Sequence, residues 1–318
     1  MFAALTSCTS TSAARSAAST TPHVTSVRPT RAATSSTVSS SVAAPLTTMG
    51  PPQFLWGYGD PLICGAPTPS ETAGAIAAER RDGPLSVPAS VRHQRVLLVG
   101  DSTACSLWPG LNAVGNAVGI ATYQGAVFGC GIASGQITTT RNESITPHSS
   151  RCPALVSWAL PNALARARPT VVIWMSAWEK SDLVVGGHTI VANTPQWEAE
   201  IRSRMDGALA LLTAGGARVV VVTEAAPTPN PAQRSETTNP NADDAGYVRL
   251  NALLRRFQAR HPDKVALVDL ATKLCPSGPP CPALVAGTQP RPDGRHFTPA
   301  AATWAARWLF SQIFRTRD

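Results

Sequence analysis

The chain has 318 residues, of which 43% are hydrophobic, so it is long enough to bury a sizeable core. Its formal net charge is +8, but no arginine-rich helix or interleaved aromatic platform occurs, and nucleic-acid binding is therefore not expected. The seven cysteines include no CxxC pair and have no histidine at zinc-finger spacing, which argues against a structural metal site.

The first fifty residues are almost entirely Ser, Thr, Ala, Pro and Arg, without hydrophobic periodicity. Such a segment cannot bury enough apolar surface to offset its conformational entropy, so residues 1–50 are predicted to be a disordered tail or linker. Near the start, Leu5-Thr6-Ser7-Cys8 resembles a bacterial lipobox, although the residues before Cys8 lack the basic region and apolar core of a signal. Either the true start lies upstream or the likeness is accidental. No run of 18 apolar residues occurs, so the chain as given is not expected to span a membrane.

Residues 51–92 are rich in turn formers but also contain a cluster of large apolar residues, among them Phe54, Trp56 and Tyr58. This composition predicts an extended arm packed on a main domain that spans residues 93–318.

From residue 95 onward, apolar β-branched runs alternate with segments of helical period. Strands are predicted at 95–100, 120–128, 170–176, 218–223 and 265–269. Helices are predicted at 103–117, 153–168, 196–213, 243–260 and 298–314. This alternation is typical of a three-layer α/β/α sandwich with a mainly parallel sheet.

The first predicted strand ends in Gly100-Asp101-Ser102, directly before the first predicted helix of the main domain. A strand that enters a helix through a tight glycine turn places these residues at the carboxyl edge of a parallel sheet, where ligands bind. A hydroxyl there lies beside the free N–H groups of the helix, which stabilise developing negative charge. Ser102 is therefore a candidate nucleophile, and Asp101 is interpreted as a structural residue whose carboxylate bonds to nearby backbone.

A serine nucleophile needs a base within hydrogen-bond reach and a group that orients the base. Among six histidines, His296 is distinguished by Asp293, which precedes it by three residues on a tight turn. The carboxylate would fix the tautomer of the imidazole and stabilise its protonated form. The alternative is a solvated polar loop before the last helix. Arg249 and Asn251 are interpreted as helix-face residues.

Two cysteine pairs bracket short loops. Cys275 and Cys281 enclose a segment rich in Pro and Gly that a disulfide could close, and Cys130 and Cys152 bracket a polar loop. Buried free thiols in a cytosolic protein are the alternative, because disulfides follow the redox compartment.

These motifs together resemble the SGNH (GDSL-type) hydrolase family over residues 94–316. Gly100-Asp101-Ser102 matches the block that carries the family's nucleophile, and Asp293-x-x-His296 matches the block that carries its acid and base. The resemblance implies a flavodoxin-like three-layer fold and a catalytic triad of Ser102, His296 and Asp293.

The second and third family blocks concern the oxyanion hole. Gly129 matches the second-block glycine, so the resemblance implies a hole formed by the N–H groups of Ser102 and Gly129. Where the third block usually reads Gly-x-Asn-Asp, this chain has Ser176-Ala177-Trp178-Glu179. The indole N–H of Trp178 could replace the missing asparagine donor. Otherwise Trp178 lines a sugar or acyl pocket, with Glu179 as a second candidate substrate-binding residue, or packs in the core.

Three features point to a narrower group within the SGNH family. They are the Trp-Glu third block, a Cys-Gly second block and a Leu-Cys-Pro segment before the last motif. They are similar to the extracytoplasmic SGNH domains fused to family 3 membrane acyltransferases, which O-acetylate cell-envelope or exported glycans. An extracytoplasmic location in the cell envelope, secreted or tethered through the N-terminal segment, is implied. The implied disulfides are Cys130–Cys152 and Cys275–Cys281, with Cys64–Cys105 as a candidate third pair, which leaves Cys8 available for lipidation.

The function implied is serine-dependent acyl transfer on carbohydrate esters, as an O-acetyltransferase or acetylesterase with an acyl-Ser102 intermediate. The alternatives are a catalytically weak carbohydrate-binding or scaffold domain on the same fold and a small-molecule esterase or lipase. The expected partners are glycan and acyl-ester substrates and a membrane acyltransferase domain or protein. We expect a monomer that uses no cofactor and no metal ion.

Overall fold

A computed structural model describes residues 64–315, except for 84, 134, 136, 139–150 and 229–243. The N-terminal tail, the lipobox-like sequence and the aromatic cluster of residues 54–58 lie outside the described residues. The described part belongs to one compact unit, which spans Thr48–Asp318.

A five-stranded parallel sheet forms the centre of this unit, with the strand order β2-β1-β4-β7-β8. Its strands are β1 (Arg95–Gly100), β2 (Ala121–Gln124), β4 (Val171–Met175), β7 (Arg218–Val222) and β8 (Val265–Val268). A smaller antiparallel sheet consists of β3 (Ile137–Thr138), β5 (Asp182–Val185) and β6 (His188–Ile190), in the order β3-β5-β6. The central strands β1, β4 and β7 are almost continuous runs of buried apolar residues, as expected for a parallel sheet that is covered on both faces.

Seven α-helices accompany these strands in the described residues. They are α1 (Pro69–Asp82), α2 (Ser102–Val118), α3 (Cys152–Ala167), α4 (Pro195–Thr213), α5 (Asp244–Arg260), α6 (Leu270–Leu274) and α7 (Pro299–Ile313). Helices α1, α2 and α7 pack against one another. Because the strand order reverses at β1, right-handed crossovers place α2 on the opposite face of the sheet from α3, α4 and α5, and α7 packs on the same face as α2. The predicted three-layer α/β/α architecture is confirmed, and the reversal creates a crevice at the carboxyl ends of β1 and β4.

The second strand is shorter than the predicted 120–128 and ends at Gln124. The N–H of Gly125 donates to the carbonyl of Leu98, and the N–H of Val127 donates to the carbonyl of Gly100, both at distances of 2.7–2.8 Å. These bonds continue the parallel pairing with β1 and hold residues 125–127 beside its end.

Part of the segment expected to be an extended arm is helix α1. A capping box begins it, in which Thr68 accepts from the N–H of Glu71 and the Glu71 carboxylate accepts from the N–H of Thr68. The Arg307 guanidinium on α7 donates to the buried Glu79 carboxylate at 2.7 Å. Helix α1 therefore forms part of the helical layer with α2 and α7.

Three disulfides join cysteines within the described residues: Cys64–Cys105, Cys130–Cys152 and Cys275–Cys281. The first ties the start of the described chain to α2, with 5.7 Å between the Cα atoms. The second joins the turn after β2 to the start of α3, and the third closes a loop after α6. Among the described helices, none combines the length and the apolar character needed to cross a membrane.

Helices α2 and α7 approach each other closely at Gly110. A Cβ atom at this position would overlap the backbone of Ala302 and Thr303. Backbone atoms cannot move aside as a flexible side chain would, so glycine allows the two helices to pack at this distance.

We therefore expect Gly110→Ala to lower the free energy of unfolding by about 1–3 kcal/mol, the usual cost of overpacking a core. Gly207 is the matched control, since it lies inside α4 and a Cβ there would meet no atom within 4 Å. Because alanine has less backbone freedom in the unfolded chain, Gly207→Ala should stabilise the protein by roughly 0.4–1 kcal/mol. Urea unfolding of both variants measures the two effects, and equal stabilities would contradict the packing argument.

Candidate active site

Ser102 lies where β1 passes into α2, at the carboxyl edge of the sheet. The Asp101 side chain caps the helix by accepting from the N–H of Thr103 at 2.8 Å, and its second oxygen accepts from the N–H of Ala177 at 2.8 Å. A Cβ atom at Gly100 would overlap the carbonyl oxygen of Met175 on β4, so only glycine permits this approach of the two strands. Burial raises the pKa of Asp101, and the two backbone N–H donors oppose the rise. The interpretation of Asp101 as a structural residue agrees with these contacts.

The structure brings Ser102, His296 and Asp293 together in one hydrogen-bonded chain. Nε2 of His296 lies 2.9 Å from Oγ of Ser102, and Nδ1 of His296 lies 2.5 Å from Oδ2 of Asp293. The other carboxylate oxygen of Asp293 accepts from the N–H groups of Arg295 and His296, both at 2.8 Å. Burial alone would raise the pKa of Asp293, but these donors and the imidazole hold the pKa below its usual value. The carboxylate is therefore ionised at neutral pH and can orient the imidazole.

Backbone contacts hold the turn that carries Asp293 and His296. The N–H of Thr228, beyond the end of β7, donates to the carbonyl of Gly294 at 2.9 Å. A Cβ atom at Gly294 would lie 2.7 Å from the carbonyl oxygen of Thr228, and its φ of 91° also favours glycine. On the other side, the N–H of Phe297 donates to Oγ of Ser106 on α2 at 3.1 Å. The turn is thus attached both to the sheet edge and to the helix that begins with Ser102.

Gly129 lies in the turn after β2, which is anchored to the end of β1 through Val127 and Gly100. Its φ is 70°, and its N–H has no hydrogen-bond acceptor among the described residues. Ser102 is the first residue of α2, so its own N–H has no acceptor within the helix. Both N–H groups of the expected oxyanion hole are therefore available, although their convergence on one point stays a prediction.

Trp178 and Glu179 begin a short 3₁₀ helix (Trp178–Lys180) after β4. Trp178 is half-buried against the core, which leaves its role as an oxyanion donor or pocket wall a prediction. The expectation that Glu179 binds substrate needs correction, because the side chain is only 1% exposed. Its carboxylate accepts from the N–H of Ala133 at 3.0 Å and holds the loop that follows Gly129.

Burial raises the pKa of Glu179 to about 7, against the opposing hydrogen bonds from Ser176 and from the N–H of Ala133, while the nearby charge of Asp101 raises it further. This carboxylate is therefore costly to ionise in the folded protein, and the folded state binds its proton more tightly than the unfolded chain.

A buried polar cluster lies behind the turn that carries Asp293 and His296 and was not foreseen from the sequence. Glu224 and Arg291 are each 3% exposed, and together with Arg295 and Tyr247 they line a cavity of about 10 Å³. Burial, together with the charge of Asp101, raises the pKa of Glu224, and the positive charge of Arg291 opposes this. Asn251, expected to be a helix-face residue, hydrogen-bonds to both the N–H and the carbonyl of Glu224, at 2.9 and 2.8 Å. These residues come from three separate segments of the sequence, so they are brought together only in the folded protein.

Phe128 is a second unforeseen member of the site. Its side chain is 47% exposed, and its ring stacks beside the His296 ring with 6.5 Å between centroids and 21° between planes. Nothing in the sequence separates Phe128 from an ordinary core phenylalanine. No cluster of three or more His, Cys, Asp or Glu suited to a metal ion occurs in the described part of the chain.

A family model described as an SGNH domain fused to AT3 domains matches residues 71–309, well over half of the chain. The match begins earlier than the expected residue 94 and therefore includes α1. None of the curated proteins compared with the chain matches it.

Several solved structures are similar in fold. The periplasmic domain of a lipopolysaccharide acetyltransferase from Salmonella ser. Paratyphi A is 14% identical, with a TM-score of 0.44 over 77% of this chain and 96% of that chain. A carbohydrate acetylesterase from Sinorhizobium meliloti is 16% identical, with a TM-score of 0.42 over 69% of this chain and 98% of that one. A GDSL-like lipase from Bacteroides thetaiotaomicron is 14% identical, with a TM-score of 0.43 over 77% and 96% of the two chains.

The raised pKa of Glu179 predicts a pH dependence of stability. The folded protein gains from the protonated carboxyl below the usual value of 4.5, and this gain is lost as the pH rises through about 7. Glu179→Gln cannot ionise, so its stability relative to wild type should improve between pH 4.5 and pH 8, by roughly 3 kcal/mol at 1.36 kcal/mol per pKa unit.

Urea unfolding at the two pH values measures this change. Glu200→Gln is the matched control, because Glu200 pairs with Arg204 on the surface of α4. This substitution should alter the change in stability between the two pH values by less than about 1 kcal/mol. The same pH response in both variants would contradict the assignment.

Proposed function

This chain belongs to the family of SGNH domains fused to AT3 domains, and we propose that it is a serine-dependent acyl-transferring enzyme that acts on carbohydrate esters. The acyl group is acetyl, and the ester is carried by a cell-envelope or exported glycan. The observation that carries the proposal is the 2.9 Å separation of Nε2 of His296 from Oγ of Ser102, with Asp293 bonded to the other ring nitrogen.

In the first half-reaction, Nε2 of His296 accepts the proton of Ser102 as Oγ forms a bond to the carbonyl carbon of the ester. The developing oxyanion accepts hydrogen bonds from the N–H groups of Ser102 and Gly129. The imidazolium, stabilised by Asp293, then gives its proton to the departing alcohol oxygen, and the carbon–oxygen bond of the ester breaks. Acetyl-Ser102 and a free alcohol are the products.

In the second half-reaction, His296 accepts a proton from the incoming nucleophile, which attacks the acetyl carbon. The bond between that carbon and Oγ then breaks, and the imidazolium returns its proton to Oγ of Ser102. Water as the nucleophile makes the protein an acetylesterase, and a sugar hydroxyl makes it an O-acetyltransferase. The AT3 domain of this family is a membrane acyltransferase. We therefore propose that such a domain, on the same chain or on a partner, handles the acyl group together with the Ser102 site.

An extracytoplasmic location is part of the proposal. Three disulfides in one domain favour an oxidising compartment, because thiols are kept reduced in the cytosol. Tethering through the N-terminal segment and lipidation of Cys8 concern residues outside the described part of the chain.

A catalytically weak carbohydrate-binding domain is the second candidate. It is favoured by Trp178, which stands where SGNH hydrolases in general have an asparagine that donates to the oxyanion. The loss of one such donor lowers the rate of catalysis by about 10²–10³-fold. Under this alternative, the domain binds carbohydrate but turns it over too slowly to act as an enzyme.

Substitution of the nucleophile separates the two candidates. We expect Ser102→Ala to lower the rate of acetate release from p-nitrophenyl acetate and from glucose pentaacetate by at least about 10³-fold, since triad residues act as a unit. Ser203→Ala, at an exposed position of α4, is the matched control and should retain the wild-type rate. Equal rates for wild type and Ser102→Ala would contradict the serine mechanism and favour the binding domain.

The covalent intermediate gives an independent prediction. Acid quenching during turnover of p-nitrophenyl acetate should leave one acetyl group on the peptide that contains Ser102, detected by mass spectrometry, and none in the Ser102→Ala protein. Adding a cello-oligosaccharide should divert the acetyl group from free acetate to acetylated sugar if the protein is a transferase. Free acetate as the sole product would assign it as an esterase, and unmodified Ser102 in all samples would exclude the proposed pathway.

A further inference from the structure

Phe128 combines an anchored backbone with an exposed ring. Its neighbours Val127 and Cys130 are fully buried, the first bonded to Gly100 and the second joined by a disulfide to Cys152. The Phe128 side chain is nevertheless 47% exposed. A large aromatic ring is normally buried. Because this turn is fixed, the Phe128 ring cannot move into the core, and its exposure to water costs free energy.

The exposed ring adjoins the catalytic base. Its centroid lies 6.5 Å from that of His296, and the two rings are inclined by only 21°. Phe128 also precedes Gly129, the residue whose N–H is assigned to the oxyanion. An ester attacked by Ser102 must therefore place its alcohol portion near His296, which protonates that oxygen, and within reach of the Phe128 ring.

We propose that Phe128 is the specificity-determining residue for the alcohol portion of the ester, and that its ring stacks on the pyranose ring whose hydroxyl carries the acetyl group. This inference rests on the proposed function. An acetyl group has only two carbons and cannot cover an aromatic face, whereas one face of a pyranose presents mainly C–H groups. A flat apolar ring held at one inclination selects such a face and removes it from water.

A different role is possible for the same contact, in which the ring orders the imidazole of His296 and affects every substrate alike. The two roles differ in their dependence on substrate. If the ring binds the sugar, substitution of Phe128 changes the preference for pyranosyl acetates over esters without a sugar ring. If the ring only orders His296, the substitution leaves that preference unchanged.

The experiment compares the full chain with Phe128→Ala and Phe128→Tyr on two esters, glucose pentaacetate and ethyl acetate. For each protein, kcat/KM on the first is divided by kcat/KM on the second. We expect Phe128→Ala to lower this preference by about tenfold, mostly through KM, in line with the energy of one aromatic contact. Phe128→Tyr retains the ring and should restore most of the preference.

Leu211→Ala is the matched control. Leu211 is 37% exposed near the end of α4, close to where β7 begins and hence at the opposite edge of the sheet from Ser102. The ratio of kcat/KM on glucose pentaacetate to kcat/KM on ethyl acetate should be the same for Leu211→Ala as for wild type. An unchanged preference in Phe128→Ala, an equal loss on both esters, or a wild type that does not prefer glucose pentaacetate would each overturn the inference. Because Ser102-dependent cleavage of p-nitrophenyl acetate is measured separately, failure of the inference remains distinguishable from failure of the proposed function.

Discussion

The buried carboxylate of Asp101 is the constraint on which the site depends. It accepts from the first turn of α2 and from the backbone that follows β4, so it joins two strand ends that are adjacent in the sheet but 76 residues apart in the chain. The same junction requires Gly100, where a side chain would displace Met175. The carbonyl of Gly100 in turn accepts from the N–H of Val127. Ser102, the turn with Gly129 and the segment with Trp178 are therefore all positioned by the junction of β1 and β4.

The pair of Asp293 and His296 has a different kind of support. It lies on a turn near the end of the sequence, and hydrogen bonds from Thr228 and to Ser106 hold this turn beside Ser102. Behind it, Arg291 donates to the carbonyl of Ala225 at 3.1 Å, near the buried carboxyl of Glu224, whose pKa is raised by burial. A buried donor that loses its acceptor is unfavourable, so the contact between Arg291 and Ala225 helps to fix the segment that leads into the turn.

Sequence patterns predicted the central architecture because the central strands β1, β4 and β7 are nearly continuous apolar runs and each major helix has a periodic apolar face. The proximity of Ser102, His296 and Asp293 was predicted because these residues occur in short motifs in a characteristic order. Helix α1 was missed, as it has few apolar positions, although Thr68-x-x-Glu71 marks its start. The β5–β6 hairpin was missed as well, although Gly186-Gly187 is a turn signal between two short strands. The roles of Phe128, Glu179 and Glu224 could not be predicted, because exposure and burial at these positions are set by segments distant in the chain.

The Cys64–Cys105 disulfide has a mechanical consequence. A pulling force that enters through the chain before residue 64 passes across the sulfur bridge directly to α2. The intervening residues, which include α1 and β1, are bypassed and carry none of the load. If the domain is suspended from an envelope by its N-terminal segment, tension on that segment is applied to the first turn of α2 and does not pass through β1, the strand that leads to Ser102.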